Sequence, residues 1–234
     1  MLSATTVLAQ NISVNAGANG FTGWTEQNTS GNGSENGRFL GASGTSMDTS
    51  SQSWGLYANT GQTASNIYTF GETLTPGDYV EIKLSLGNIG SGGTVGFGLQ
   101  NSTGTNRFET YYIGFDSNDS FKLNDSGGQE NITGVTTTFA SSSWSNSAFQ
   151  TIRFTLGASN TYTLSFNGNS VTNTGLTIAA SDIDRIRIFN FNAGSGGPSN
   201  QYFNSLEVVP EPSTLAMLAF GAGGGLLLWR RRRS

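Results

Sequence analysis

Between Ser53 and Val209 apolar and polar residues change places at every second position, in short runs separated by turn signals. The clearest run is Tyr79–Leu86. There Val80, Ile82, Leu84 and Leu86 share one side while Glu81, Lys83 and Ser85 share the other, which is the period of a strand with one buried face. Pro76, Gly77 and Asp78 before it read as a turn. Ile152, Phe154 and Leu156 alternate with Arg153 and Thr155, and Tyr162, Leu164 and Phe166 alternate with Thr163 and Ser165. Asn167 and Gly168 follow, a two-residue hairpin turn because both tolerate positive φ, so residues 170–173 are expected to return antiparallel. From Asp184 to Phe191, Ile186 and Ile188 mark a buried side. Arg185, Arg187, Phe189 and Phe191 oppose them, giving a second face half covered by aromatics. Further strands are expected at residues 54–58, 66–70, 94–99, 107–115, 120–123 and 200–209.

Residues 11–53 carry Phe21, Trp24, Phe39 and Leu40 among Gly, Asn, Ser and Thr, a turn-rich stretch with two short strands. No helix is expected before Leu215. The pattern predicts an all-β domain over residues 11–209, an antiparallel jelly-roll-like β-sandwich, followed by one C-terminal transmembrane helix. Residues 1–10, with Leu2, Ala4, Val7, Leu8 and Ala9, read as the remnant of a signal peptide.

The tail breaks the pattern. Pro210 and Pro212 disfavour helix in the residues before them, and Ser213 or Thr214 can cap a helix starting just after. Residues 214–229 are 16 positions without a charge. Thr214, Leu215, Leu218, Phe220, Leu226, Leu227 and Leu228 fill the span with Ala and Gly between them, and Trp229 anchors its interfacial end. Arg230, Arg231, Arg232 and Arg233 are costly to translocate and stay cytoplasmic, which places residues 1–209 across the membrane. Gly221 to Gly225 leave no polar face for a helix lying on the surface.

Pro210, Glu211 and Pro212, then a small-residue-rich hydrophobic span, then an arginine cluster resemble the PEP-CTERM sorting signal of exported Gram-negative proteins. The resemblance covers residues 209–234. It implies recognition by an exosortase, a membrane-embedded sorting protease, and a destination at the cell surface or in an exopolysaccharide or biofilm matrix. More weakly patterned, residues 162–168 and 201–208 resemble the strand-turn motif and closing strand of concanavalin-like lectins and glucanases. That likeness implies a sandwich that serves lectins and hydrolases alike.

Composition narrows the chemistry. The chain has no Cys and no His, so disulfides, Cys nucleophiles, Ser-His-Asp triads, His-ligated metals and imidazole bases are all absent. Four of the eleven basic residues are Arg230 to Arg233, and Glu211 is one of the fifteen acids. Residues 1–209 therefore hold seven bases and fourteen acids, a net charge of −7. Nucleic acid is not an expected partner, because neutralising phosphates needs clustered Lys and Arg.

Carboxylate catalysis survives the loss of His, since glycosidases need two acids about 5–9.5 Å apart. The Glu-x-Asp-x-x-Glu arrangement of the sandwich glucanases is missing: Thr110, Tyr111 and Tyr112 follow Glu109. Glu109 is read as a surface or rim acid. Lyase chemistry pairing Tyr111 or Tyr112 with Arg107 remains open, as does an enzyme whose acids converge from Glu109, Asp116, Asp119 and Glu130. Asp116, Asn118, Asp119 and Asp125 form the densest oxygen cluster, a candidate Ca2+ site that also reads as a hairpin turn. Trp24, Trp54, Trp144, Tyr111 and Tyr112 are candidate sugar platforms, with core packing the competing reading. No cofactor and no catalytic set are assigned. The reading is a non-catalytic, exported surface or matrix protein with glycan as its expected ligand; the alternatives are a polysaccharide-active enzyme and an uncleaved tail-anchored protein.

Overall fold

Two antiparallel sheets face each other across one core in the computed structural model, which describes residues 11–27, 34–114, 121–135 and 149–210. The strands are β1 Ile12–Val14, β2 Trp24–Glu26, β3 Asn36–Gly41, β4 Ser53–Ala58, β5 Thr63–Thr69, β6 Tyr79–Leu86, β7 Thr94–Gln100 and β8 Asn106–Ile113. They continue with β9 Phe121–Asp125, β10 Gly128–Asn131, β11 Gln150–Leu156, β12 Tyr162–Phe166, β13 Asn169–Ser170, β14 Arg185–Phe191 and β15 Gln201–Val209. An eight-stranded sheet runs β13-β12-β11-β6-β15-β4-β3, with β1 added to β15, and a seven-stranded sheet runs β10-β9-β8-β7-β14-β5-β2. The chain crosses between sheets at β1 to β2, β2 to β3, β4 to β5, β5 to β6, β6 to β7, β10 to β11, β13 to β14 and β14 to β15.

The alternation read from the sequence sets which side of each strand is buried. Val80, Ile82, Leu84, Ile152, Phe154 and Leu164 turn inward from the larger sheet, and Val95, Phe97, Leu99, Phe108, Ile186 and Ile188 meet them from the smaller one. Aromatics gather in two places within this core. Trp24, Trp54 and Phe203 lie with ring centroids 5.2 to 5.3 Å apart, and Phe108, Phe154 and Tyr162 are each 5.0 Å from one another. Each such burial contributes about 2–3 kcal/mol, with about 1 kcal/mol more from ring geometry.

β6 and β12 occupy the expected spans to the residue, and the hairpin turn between β12 and β13 has φ of 51° at Asn167 and 81° at Gly168. The returning strand is shorter than expected, Asn169–Ser170 instead of residues 170–173. Past it, Val171 bonds back to Leu164 and Thr172 turns to Thr133, so the chain leaves the hairpin for the other sheet's β10 end.

Residues 11–53 hold three strands instead of two, and a helix where none was expected. α1, Ala16–Asn19, is one turn long, capped by the Asn15 side chain accepting from the Ala18 N–H. Local propensity does not hold it there. Asn204 does: its Oδ1 accepts the Ala16 N–H at 2.9 Å, while its Nδ2 donates to the Met47 and Gln52 carbonyls, both at 2.9 Å. Asn204 sits at a bulge in β15 where the register against β6 shifts, which turns its amide toward the N-terminal segment.

β15 lies inside the larger sheet with Val209 opposite Tyr79, so the backbone is fixed up to the residue before Pro210. Among the described residues no helix is long and apolar enough to cross a membrane. The span expected at residues 214–229, the arginine cluster, Glu211 and Pro212 lie outside the described residues.

Candidate functional site

The outward face of the smaller sheet presents two adjacent rows of side chains. Strand register aligns Ile67, Arg187, Gly98, Glu109, Asn124 and Gln129 across β5, β14, β7, β8, β9 and β10. The neighbouring row is Ser65, Phe189, Gly96, Tyr111, Lys122 and Asn131. One row is polar and charged; the other centres on two rings.

The centre of both rows is bare backbone, because β7 carries glycine at each crossing. A Cβ on Gly96 would lie 2.1 Å from the Thr110 carbonyl oxygen, and one on Gly98 would lie 3.1 Å from Glu109 Cγ. The glycines therefore let β8 close in and leave a furrow between β8 and β14. Phe189 and Tyr111 flank it at 6.3 Å between ring centroids, and Arg187 and Glu109 face each other over Gly98.

Each polar group is positioned differently. Glu109 accepts from Asn106 Nδ2 at 2.6 Å and from Asn124 Nδ2 at 3.3 Å. Burial raises its carboxyl above the ordinary range, opposed by the Asn124 bond and the Arg187 charge. Tyr111 donates its hydroxyl to Gln129 Oε1 at 2.8 Å, and burial together with the Glu109 charge pushes its phenol up. Arg187 lies with its guanidinium 5.2 Å from the Phe189 ring. Burial lowers its affinity for the proton and Glu109 partly restores it. The Arg187 Nε is buried and has no hydrogen-bond acceptor among the described residues.

This arrangement suits a hydroxyl-bearing ligand. A hydroxyl both donates and accepts, so one placed over Gly98 gives its proton to Glu109 and receives one from Arg187. The half-buried Tyr111 ring, one row away, borders the furrow with apolar surface, and Phe189 is buried beside it. An unmatched guanidinium Nε is costly to bury, and a ligand acceptor would offset that cost.

Glu109, expected as a surface or rim acid, lies on the outward surface, where strand β8 sets it half-buried at the centre of the face. Arg107 is not available to Tyr111: its Nε and Nη2 hold Asp182 Oδ1 and Oδ2 at 2.6 and 2.8 Å. Tyr112 points into the core beside Phe121. Trp24 and Trp54 are core residues, with Trp54 Nε1 donating to the Gly20 carbonyl. Asp125 spends Oδ1 on the Gly127 N–H and Oδ2 on the Tyr162 hydroxyl, both at 2.7 Å, and Glu130 is exposed on β10. Trp144, Asp116, Asn118 and Asp119 lie outside the described residues. Among the described residues no three acids group as metal ligands.

Sequence reasoning placed Arg187 on an aromatic-bearing face but gave it no role. Its alternation with Phe189 against Ile186 and Ile188 was the usable signal. The opposition to Glu109 across Gly98 was not visible, since it depends on β14 pairing with β7.

Residues 208–233 match the PEP-CTERM protein-sorting motif. A search of curated proteins returned no match. Among solved structures the chain is similar to the globular domain of T. cruzi calreticulin, at a TM-score of 0.56 and 10% identity over 92% of this chain and 93% of that one. It is similar to a cellulose-induced protein, Cip1, at a TM-score of 0.54 and 14% identity over 81% and 92%. It is also similar to the β-glucanase of Bacillus licheniformis, at 0.50 and 14% over 86% and 98%. These likenesses establish a concanavalin-like sandwich, and at such identities they establish the fold alone.

Proposed function

We propose that this is an exported, non-catalytic protein that holds a polysaccharide on the outward face of its seven-stranded sheet and reaches the cell surface or matrix through its PEP-CTERM tail. The observation that carries the binding reading is Arg187, set across Gly98 from Glu109 with its Nε buried and unpaired among the described residues, so that a turn of the side chain brings that donor to a ligand. A sugar hydroxyl bridges the two, and a pyranose face covers Tyr111, the more exposed of the two rings. The pair is neutral in sum, which favours uncharged sugars.

Two features favour binding over turnover. The two rows hold one carboxylate, Glu109, among the described residues, whereas glycoside hydrolysis uses two. A lyase would need an ionised tyrosine at neutral pH, yet Tyr111 donates its proton to Gln129 and its phenol is pushed up. In this reading the exosortase recognises Pro210, Glu211 and Pro212, the apolar stretch from Thr214 to Trp229 holds the precursor in the membrane, and Arg230 to Arg233 fix its orientation.

Retention on immobilised neutral polysaccharides, with reducing-end release followed in parallel, tests the activity. Wild type should be retained without releasing sugar, and Arg187→Met should weaken retention about tenfold or more with no loss of thermal stability. Wild-type retention that survives Arg187→Met and Tyr111→Ala together would remove this face from the function. Intact-mass spectrometry of envelope and released fractions tests the route: sorting leaves the domain without the segment after about Pro212, and full-length protein confined to membranes argues for a simple tail anchor.

A further inference from the structure

The larger sheet has an aromatic cluster of its own outside the core. Phe39 on β3, Gly55 on β4 and Tyr202 on β15 are consecutive in register. The Phe39 ring lies over Gly55, where a Cβ would come within 2.3 Å of it. Tyr202 meets that ring edge-on at 5.6 Å and 85°. Tyr57, the next outward residue of β4, stands opposite Gly37 with its ring 6.2 Å from Phe39. Three half-buried rings on three adjacent strands thus form one cluster, two of them resting on glycine backbone, and add nothing to the interior.

The segment from Ser195 to Asn200 rises beside them and closes a groove walled by Phe39, Tyr57, Asn59, Ser195, Gly197 and Asn200. Its walls are rings on one side and hydroxyl, amide and bare backbone on the other. None of these side chains carries a formal charge, and the Glu35 carboxylate, which accepts from Asn59 Nδ2 at 2.7 Å, puts negative charge beside the groove, so an anionic ligand gains nothing there.

We propose that this groove is a second carbohydrate site that takes a neutral polyhydroxyl chain. The rings supply faces for the C–H side of a sugar, and the Asn and Ser groups exchange hydrogen bonds with its hydroxyls. The groove lies on the sheet opposite to the Arg187 and Glu109 face, so the two sites point away from each other. If the first face binds as proposed above, on which this consequence alone rests, one molecule joins two polysaccharide chains and binds a dense matrix with avidity.

The test uses the full chain in detergent micelles with soluble mixed-linkage β-glucan, galactomannan and xylan as neutral probes and polygalacturonate as the charged control. Gly197→Leu fills the groove at a position where an added side chain meets nothing within 4 Å, and Tyr57→Ala removes one ring. Each should weaken binding of at least one neutral polymer about tenfold when placed in an Arg187→Met background, with polygalacturonate bound by neither. Wild type should make that polymer turbid, and either single-face variant should bind it without turbidity. Loss of all binding in Arg187→Met alone, or wild-type affinities in both groove variants, would overturn the second site and leave the first standing. Groove variants that change sedimentation of the ligand-free protein but not polysaccharide binding would make the groove an interface between copies, also overturning it. Absence of binding to every neutral polymer by wild type would sink both readings.

Discussion

Two arginines hold matching outward positions on opposite sheets, and their surroundings differ by one glycine. Arg153 on β11 has Glu81 as its direct neighbour on β6. Its Nε reaches Glu81 Oε2 at 2.7 Å and its guanidinium lies 4.1 Å over the Tyr79 ring. Arg187 on β14 has Gly98 as its direct neighbour, and Glu109 stands one strand further. With strands about 4.8 Å apart, that extra strand turns an ion pair into a gap. The larger sheet thus uses its arginine to tie two strands together. The smaller sheet leaves the donor facing an acid it does not touch, which is the arrangement a ligand can complete.

The most drastic way to break the contrast is to fill the glycine row. Gly96→Val puts a side chain against the Thr110 carbonyl and the Tyr111 backbone, forcing β7 and β8 apart. A loss of about 3 kcal/mol or more is expected from such overpacking, read as a fall in the urea midpoint. Gly98→Ala meets the flexible Glu109 side chain first, at 3.1 Å, and the Phe108 carbonyl oxygen at 3.3 Å, so it should be tolerated far better while narrowing the gap. Equal damage from both would mean that the furrow is not shaped by these glycines.

Next in size is the arginine pair itself. Arg187→Met removes a half-buried cation that lacks an acceptor, and folding stability should stay level or rise by about 1 kcal/mol. Polysaccharide retention should fall about tenfold or more. Arg153→Met should cost about 0–1 kcal/mol, as exposed ion pairs do, and leave retention intact. Identical behaviour of the two variants in denaturation and retention would erase the distinction drawn between the sheets.

What the sequence made legible follows the same line. The period-two runs located β6 and β12 to the residue, because burying one face of a strand is written in adjacent positions. The sorting tail was legible for a similar reason: hydropathy and an arginine cluster are local. Arg187 facing Glu109 was not, since β14 and β7 are paired from distant parts of the chain and nothing near either residue names its neighbour. The same holds for α1, whose single turn stands through Asn204, 188 residues beyond Ala16. Arg107 shows the reverse error. Close in sequence to Tyr111 and Tyr112, it was left open as a partner of either, yet Asp182 from another loop takes it.

A gentler probe is pH. Burial raises the Glu109 carboxyl above its ordinary 4.5, so the folded protein holds that proton more tightly than the unfolded chain does. The contribution therefore favours folding at pH below 4.5 and is lost as pH rises through the raised folded value. Glu109→Gln should flatten the stability profile just above that ordinary value. Arg187→Met should steepen it, because the Arg187 charge opposes the shift. No steepening in Arg187→Met would show that the two groups do not sense each other across Gly98.

The smallest effect belongs to Arg107 and Asp182, and its sign is opposite. Arg107 holds the Asp182 carboxyl down to about 2 from an ordinary 3.8, so this contribution is present above 3.8 and fades as pH falls toward 2. The Asp182 side chain is 49% exposed, and solvent screening limits the pair to the few tenths of a kcal/mol usual for surface ion pairs, about 0.2–1 at most. Arg107→Gln should remove that fraction, the loss should shrink in high salt, and polysaccharide retention should not change. This is the control that separates a satisfied arginine from an unsatisfied one on the same sheet. If Arg107→Gln lowered retention as much as Arg187→Met is expected to, the binding face would extend past the Arg187 and Glu109 row to the β8 end, and the missing acceptor would no longer distinguish the residues that meet the ligand.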